Sequence, residues 1–149
     1  MRISIGSDHR GYNMKTKILQ LLEELGHTAT DEGTNSTDSC DYPDIAAIVG
    51  QKVSDGEAER GILVCGTGIG MAITANKYAD VRAATCHDEL TAEICRRHND
   101  VNVLCLSGDM LGESRIDGLI KVWLGTDFEG GRHQRRISKI ADIEKQRGE

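Results

Sequence analysis

No apolar run in this sequence approaches the ~20 residues that a helix needs to cross a bilayer. The opening residues, MRISIGSDH, lack the apolar core of a secretory signal, so the expected location is cytoplasmic, without a membrane partner. Five cysteines stand at 40, 65, 86, 95 and 105, but no C-x-x-C pair occurs among them and their number is odd. A disulfide framework and a zinc knuckle are therefore not indicated, and no metal or other cofactor is expected. Positive charge is short as well. A net charge of −6 disfavours a nucleic-acid partner, and the basic run RHQRRISK carries no interleaved aromatics. Linkers and internal repeats are missing, so residues 1–149 read as a single soluble domain large enough to bury a core.

The chain alternates between two periodicities. ISIG (3–6), His27–Asp31, ILVC (62–65), VRAATC (81–86) and VNVLCL (101–106) read as short strands. Between them, Met14–Leu25, Pro43–Val53, Met71–Lys77, Asp88–Arg97 and Ile116–Leu124 have helical spacing, and a last helix follows Gly130 and Gly131. Pro43 suits a first helical turn and Asp88 an N-cap. Strands alternating with helices imply βαβ units. The expected fold is a Rossmann-like, three-layer α/β/α domain around a five-stranded parallel sheet.

Ligands of such sheets bind beyond the carboxyl ends of the strands. GSDHRG, CGTGIG, CHD and SGDMLG should stand there. Gly66, Gly68 and Gly70 give G-x-G-x-G, with Met71 where a dinucleotide fingerprint needs its third glycine. Tyr12 and Met71 follow the last glycines of their loops, so neither loop is a Walker A. Met71 also occupies the arginine position of a C-x5-R phosphatase loop. What survives is Cys65 facing a nest of backbone donors at a helix start. That setting favours a thiolate and can hold an oxygen that becomes negative. A base beside an oxyanion cradle suits proton abstraction next to a carbonyl, with Thr67 assisting the base or holding a substrate oxygen. Asp8 and His9 add polar groups at the mouth, although Asp8 is equally suited to capping the next helix. Cys86, Cys95 and Cys105 read as small core fillers.

Together GSDHRG, DYPD, ILVCGTGIGMAITANK, RRHNDVNVL and WLGTDFEGGRHQRRI resemble ribose-5-phosphate isomerase B and its sugar-phosphate isomerase relatives, from residue 3 to about 143. The resemblance implies a metal-free aldose–ketose isomerase working through a cis-enediol. Cys65 would be its base, supported by Thr67, and the backbone of Gly66, Thr67, Gly68, Ile69 and Gly70 its anion hole. Asp8 would hold sugar hydroxyls, His98 would help open the furanose ring, and Asn99 would bind a sugar oxygen. His9, Arg132 and Arg136 would hold a phosphate. One branch of the family uses a glutamate base at the position of Met71, which cannot accept a proton.

Arg132 and Arg136 share a helix face, which suits a phosphate or a solvated basic surface. His98 falls at the far end of its helix, at the sheet edge opposite Cys65, so a catalytic His98 would serve a neighbouring subunit. A homodimer or homotetramer with shared sites is expected. Asp109 stands where phosphate-using members carry an arginine. A carboxylate there should oppose a dianion, giving a weaker phosphate grip and access for unphosphorylated sugars, unless it caps the helix beginning near Gly112. A flavodoxin-like nucleotide- or flavin-binding module is the alternative from another class.

Overall fold

The computed structural model describes residues 1–148. Five strands form one parallel sheet: β1 (Arg2–Ser7), β2 (Thr28–Asp31), β3 (Arg60–Cys65), β4 (Ala83–Thr85) and β5 (Val103–Ser107). The helices are α1 (Tyr12–Glu24), α2 (Tyr42–Ser54), α3 (Ile69–Ala75), α4 (Glu89–Asn99), α5 (Glu113–Gly125) and α6 (Arg132–Arg147). The three-layer α/β/α arrangement is as expected. Among the described residues no helix is long and apolar enough to cross a membrane.

Strand periodicity divides the core in two. On β3, Ile62 and Val64 pack with α1, α4 and α5, whereas Leu63 and Cys65 face α2 and α3. On β5, Leu104 and Leu106 join the first layer, and Val103 and Cys105 the second. Both faces are covered, which explains apolar runs in place of alternation. Trp123 of α5 is fully buried in the first layer, and its truncation to alanine would cost roughly 3–5 kcal/mol.

Three of the boundaries that differ from the periodicity have a clear local cause. Asp100 takes a left-handed conformation (φ 46°) after α4, and the Val101 N–H returns to the Cys95 carbonyl. That closure uses Val101, so β5 starts at Val103. The Asn102 side chain accepts from the Arg82 N–H, 2.8 Å away, and so removes Arg82 from the expected strand. Gly68, at φ 81°, turns the chain sharply enough for α3 to start at Ile69 rather than Met71.

Strand order places the site. The sheet runs β2-β1-β3-β5-β4, so the chain leaves β1 and β3 in opposite directions and opens a crevice between their carboxyl ends. A flavodoxin-like sheet would run 2-1-3-4-5. Here β5 is inserted beside β3, which brings the SGDMLG loop against CGTGIG and moves the CHD loop after β4 to the outside.

Candidate active site

Cys65 is the last residue of β3 and is 4% exposed. The Gly68 N–H donates to its Sγ at 3.1 Å, so the thiol lies inside the turn that follows it. The adjoining β5 loop draws the carbonyls of this turn aside. Gly108 N–H donates to the Cys65 carbonyl (2.7 Å), while Ser107 Oγ (2.6 Å) and Asp109 N–H (3.2 Å) donate to the Gly66 carbonyl. The N–H groups of Gly66, Thr67 and Gly70 meet no acceptor among the described residues. Thr67 is exposed, with Oγ1 accepting from the Ile69 N–H at 3.2 Å, and Ile69 itself is exposed. A Cβ on Gly70 would stand 2.5 Å from the Tyr42 ring, so that ring lies directly on the loop.

The turn after β1 forms the facing wall. Asp8 is 5% exposed, and its Oδ1 accepts from the N–H groups of Arg10 (2.9 Å) and Gly11 (3.1 Å). One oxygen therefore holds the turn that leads into α1, but it does not cap that helix, whose N-cap is Gly11 with no side-chain bond. Oδ2 takes no hydrogen bond among the described residues. His9 Nδ1 accepts from the Cys40 N–H at 3.2 Å, tying the long loop before α2 to the site.

Asp109 stands beside the cradle, at the edge where it was expected, but with a partner that its sequence context does not show. It neither faces the crevice as an unpaired carboxylate nor caps α5, whose N-cap Gly112 carries no side-chain bond. Arg10 Nη2 lies 2.5 Å from its Oδ2, and Arg10 Nε donates to Oδ1 at 3.3 Å. The pair rests on Gly66, where a Cβ would stand 3.1 Å from Asp109 Oδ2 and 3.3 Å from Arg10 Cδ and Nε.

A second polar cluster occupies the opposite edge of the sheet. Helix α4 runs back against the strands, and its eleven residues cover ~16 Å. His98, near its end, stacks on His133 of α6 with ring centroids 4.2 Å apart and planes 10° from parallel. Arg97 Nε holds Glu129 Oε1 at 2.6 Å, and Glu129 Oε2 approaches His133 Nε2 at 3.4 Å without hydrogen-bond geometry. Burial, followed by the charges of His98 and Arg132, lowers the His133 pKa from its ordinary 6.5. Asn99, Arg132 and Arg136 are exposed on the same end of the molecule.

His98, Glu129 and His133 offer ligand atoms within 4.8 Å of one another, a cluster that spacing alone did not reveal. Stacked, near-parallel imidazoles direct their in-plane lone pairs side by side, whereas tetrahedral metal ligands converge. The arrangement therefore positions an imidazole better than it holds an ion.

One chain thus gathers Asp8, His9, Cys65, Thr67, the 66–70 backbone and Asp109 at the carboxyl edge. It leaves His98, Asn99, Arg132 and Arg136 at the amino edge. A cavity of about 690 Å³ between β4, the end of α4 and α6 includes Asn99 but not Cys65. The other core cysteines are fillers: Cys105 is fully buried with its thiol pKa pushed up by burial, and Cys86 touches Cys95 (Sγ–Sγ 3.7 Å). Arg10, Tyr42, Ser107, Glu129 and His133 escaped the sequence reading. All five lie inside motifs already singled out, but no motif reveals which way a side chain points.

Comparison with known proteins agrees with this geometry. Residues 3–140 match the Ribose/Galactose Isomerase family. Ribose-5-phosphate isomerase B of Escherichia coli (strain K12) is 42% identical over 146 residues, covering 98% of each chain. The structure of Clostridium thermocellum ribose-5-phosphate isomerase B superposes with a TM-score of 0.96 at 44% identity, over 98% of this chain and 99% of that one. Ribose-5-phosphate isomerase B from Mycoplasma genitalium, crystallised with ribulose-5-phosphate bound, gives a TM-score of 0.94 at 42% identity, over 97% and 96%. The chain belongs to the ribose/galactose isomerase family, enzymes that interconvert aldoses and ketoses.

Proposed function

We propose that this protein interconverts ribose 5-phosphate and ribulose 5-phosphate through a cis-enediolate, with Cys65 as the base. The observation that carries the reading is the burial of Cys65 Sγ within the Gly66–Gly70 turn, at 3.1 Å from the Gly68 nitrogen. The thiolate takes the C2 proton of the open-chain aldose. The electron pair forms the C1–C2 double bond, and the C1 carbonyl oxygen gains negative charge. Return of the proton from the thiol to C1, with transfer of the C2 hydroxyl proton to the C1 oxygen, gives the ketose. Backbone N–H groups aimed at a developing oxyanion supply its stabilisation without reorganisation. Thr67 supports the base, and Asp8 Oδ2 is available to sugar hydroxyls.

The remaining groups come from a second subunit in this reading. His98 opens the furanose ring, Asn99 binds a sugar oxygen, and Arg132 and Arg136 join His9 on the phosphate. The support is their placement at the far edge of the chain, which makes the site complete only in a homodimer or larger assembly. Turnover of ribose 5-phosphate in D₂O tests the chemistry, since an enediolate route introduces solvent deuterium at carbon. A parallel screen of allose 6-phosphate, galactose 6-phosphate and free sugars tests the substrate. Ketose formation from one of those sugars alone would replace ribose 5-phosphate.

A further inference from the structure

We propose that Arg10 grips the substrate phosphate and that Asp109 is the residue that positions it. The inference rests on the sugar-phosphate reading above and identifies a specificity determinant of that same site. The Arg10 stem crosses the face of Gly66, next to the residue that bears the thiol, and its guanidinium reaches solvent with 59% of the side chain exposed. Asp109 takes the Nε–Nη2 edge of that guanidinium, at 3.3 and 2.5 Å. Arginine presents five donors in a planar fork, so the outer edge keeps donors in the geometry that matches a phosphate.

Two features favour this role over a structural one. Ion pairs with both partners this exposed contribute little to stability, so packing gives no reason to hold the pair against the cradle. Residue 66 is also a glycine where any Cβ would press on both Asp109 and Arg10, so the backbone yields space to the pair. A long cationic side chain has high rotamer freedom in solution. Fixing one edge on Asp109 removes much of that freedom before substrate arrives, which is how preorganisation strengthens binding. Positive charge at the mouth then comes from the β1 loop, and the carboxylate from the β5 loop holds it in place.

The competing role is simple neutralisation, in which Arg10 only masks a carboxylate that would repel phosphate. Removing both side chains separates the two. The measurement is the calorimetric dissociation constant for ribose 5-phosphate, together with kcat/KM for ribose 5-phosphate and for ribose. The proteins are wild type, Asp109→Ala and the double variant Arg10→Ala/Asp109→Ala, with Arg10→Gln/Asp109→Asn as a near-isosteric second pair. Loss of a charge-assisted grip predicts that both double variants bind ribose 5-phosphate about tenfold more weakly. Their preference for the phosphorylated over the free sugar should fall by a similar factor. Asp109→Ala alone should weaken binding by a smaller factor, since Arg10 loses its brace. Wild-type affinity in the double variants, or tighter binding by Asp109→Ala, would overturn the proposal. Binding without turnover in the wild type would remove the isomerase reading while the affinities still decide the role of Arg10. No binding by the wild type would remove both.

Discussion

His98 lies flat against His133, ring centroids 4.2 Å apart, at the end of the molecule opposite the Cys65 thiol. His133 is 6% exposed and its Nε2 has no hydrogen-bond partner, so it forms a fixed apolar-like platform that orients the more accessible ring. The place of His98 across the sheet from Cys65 is accounted for, in the proposed function, by a site to which two chains contribute.

That explanation predicts complementation. Cys65→Ala and His98→Ala proteins should each be nearly inactive, and mixing followed by reassembly should restore turnover. Random pairing makes about half of the dimers mixed, each with one intact site of two, hence roughly a quarter of wild-type sites. Reassembled mixtures that stay dead would place both residues in one chain's site or deny His98 a catalytic role.

Cys65→Ala by itself should lower kcat roughly 10²–10⁴-fold, the usual worth of a positioned base. The thermal transition should move little, because the substitution removes one small atom at the end of a strand. Near-normal turnover would show that another group takes the proton.

Dialysis against EDTA should leave turnover intact. The His98–Glu129–His133 cluster is the place where a metal effect could enter, and its stacked rings are poorly aimed for one ion. Activity lost on dialysis and restored by a divalent ion would reverse that view and transfer oxyanion stabilisation from the backbone to a metal.

Acid should destabilise the fold through His133. Burial first, then His98 and Arg132, hold its pKa below the ordinary 6.5, so the unfolded chain binds this proton at a higher pH than the folded one. Stability then rises with pH wherever the unfolded state carries more protons. The contribution is complete above the unfolded value and is lost as pH falls through it toward the folded value. His27, lowered by burial and by the N-terminus, adds a slope of the same sign. Urea midpoints between pH 7.5 and 5.5 should fall for wild type and fall less for His133→Gln; equal slopes would reject the assignment.

Gly68→Ala should damage fold and activity together. Its φ of 81° penalises a side chain, and the added Cβ would stand 3.0 Å from Thr85 Cγ2 and 3.1 Å from the Leu106 carbonyl carbon. Substituting alanine at positive φ costs more than about 1 kcal/mol. The same residue supplies the N–H that reaches Cys65, so kcat should drop further than the stability loss explains. Unchanged kcat in a destabilised variant would separate the turn from the chemistry.

The sequence by itself determined the layer architecture. ILVC and VNVLCL are apolar runs too short to be helices of this size, and the helical spacing between them leaves a parallel sheet covered on both faces as the consistent solution. It also singled out Cys65 as a candidate, because glycines directly after a buried strand leave some backbone donors without an acceptor among the described residues, here those of Gly66, Thr67 and Gly70. Local motifs sufficed to place His98 away from Cys65, since a helix of known rise must end at the other edge of its sheet. Strand order lay beyond that reach. Inserting β5 between β3 and β4 is a long-range pairing choice that hydrophobic periodicity leaves open, and it is what sets Asp109 beside Gly66. The sign of the local electrostatics followed from it. Read alone, Asp109 is a carboxylate opposing phosphate; in the folded chain it is bound to Arg10, ninety-nine positions earlier, and becomes part of the support for a cation. Charge pairs across loops are decided by which strands are neighbours, and that information resides in the packed sheet.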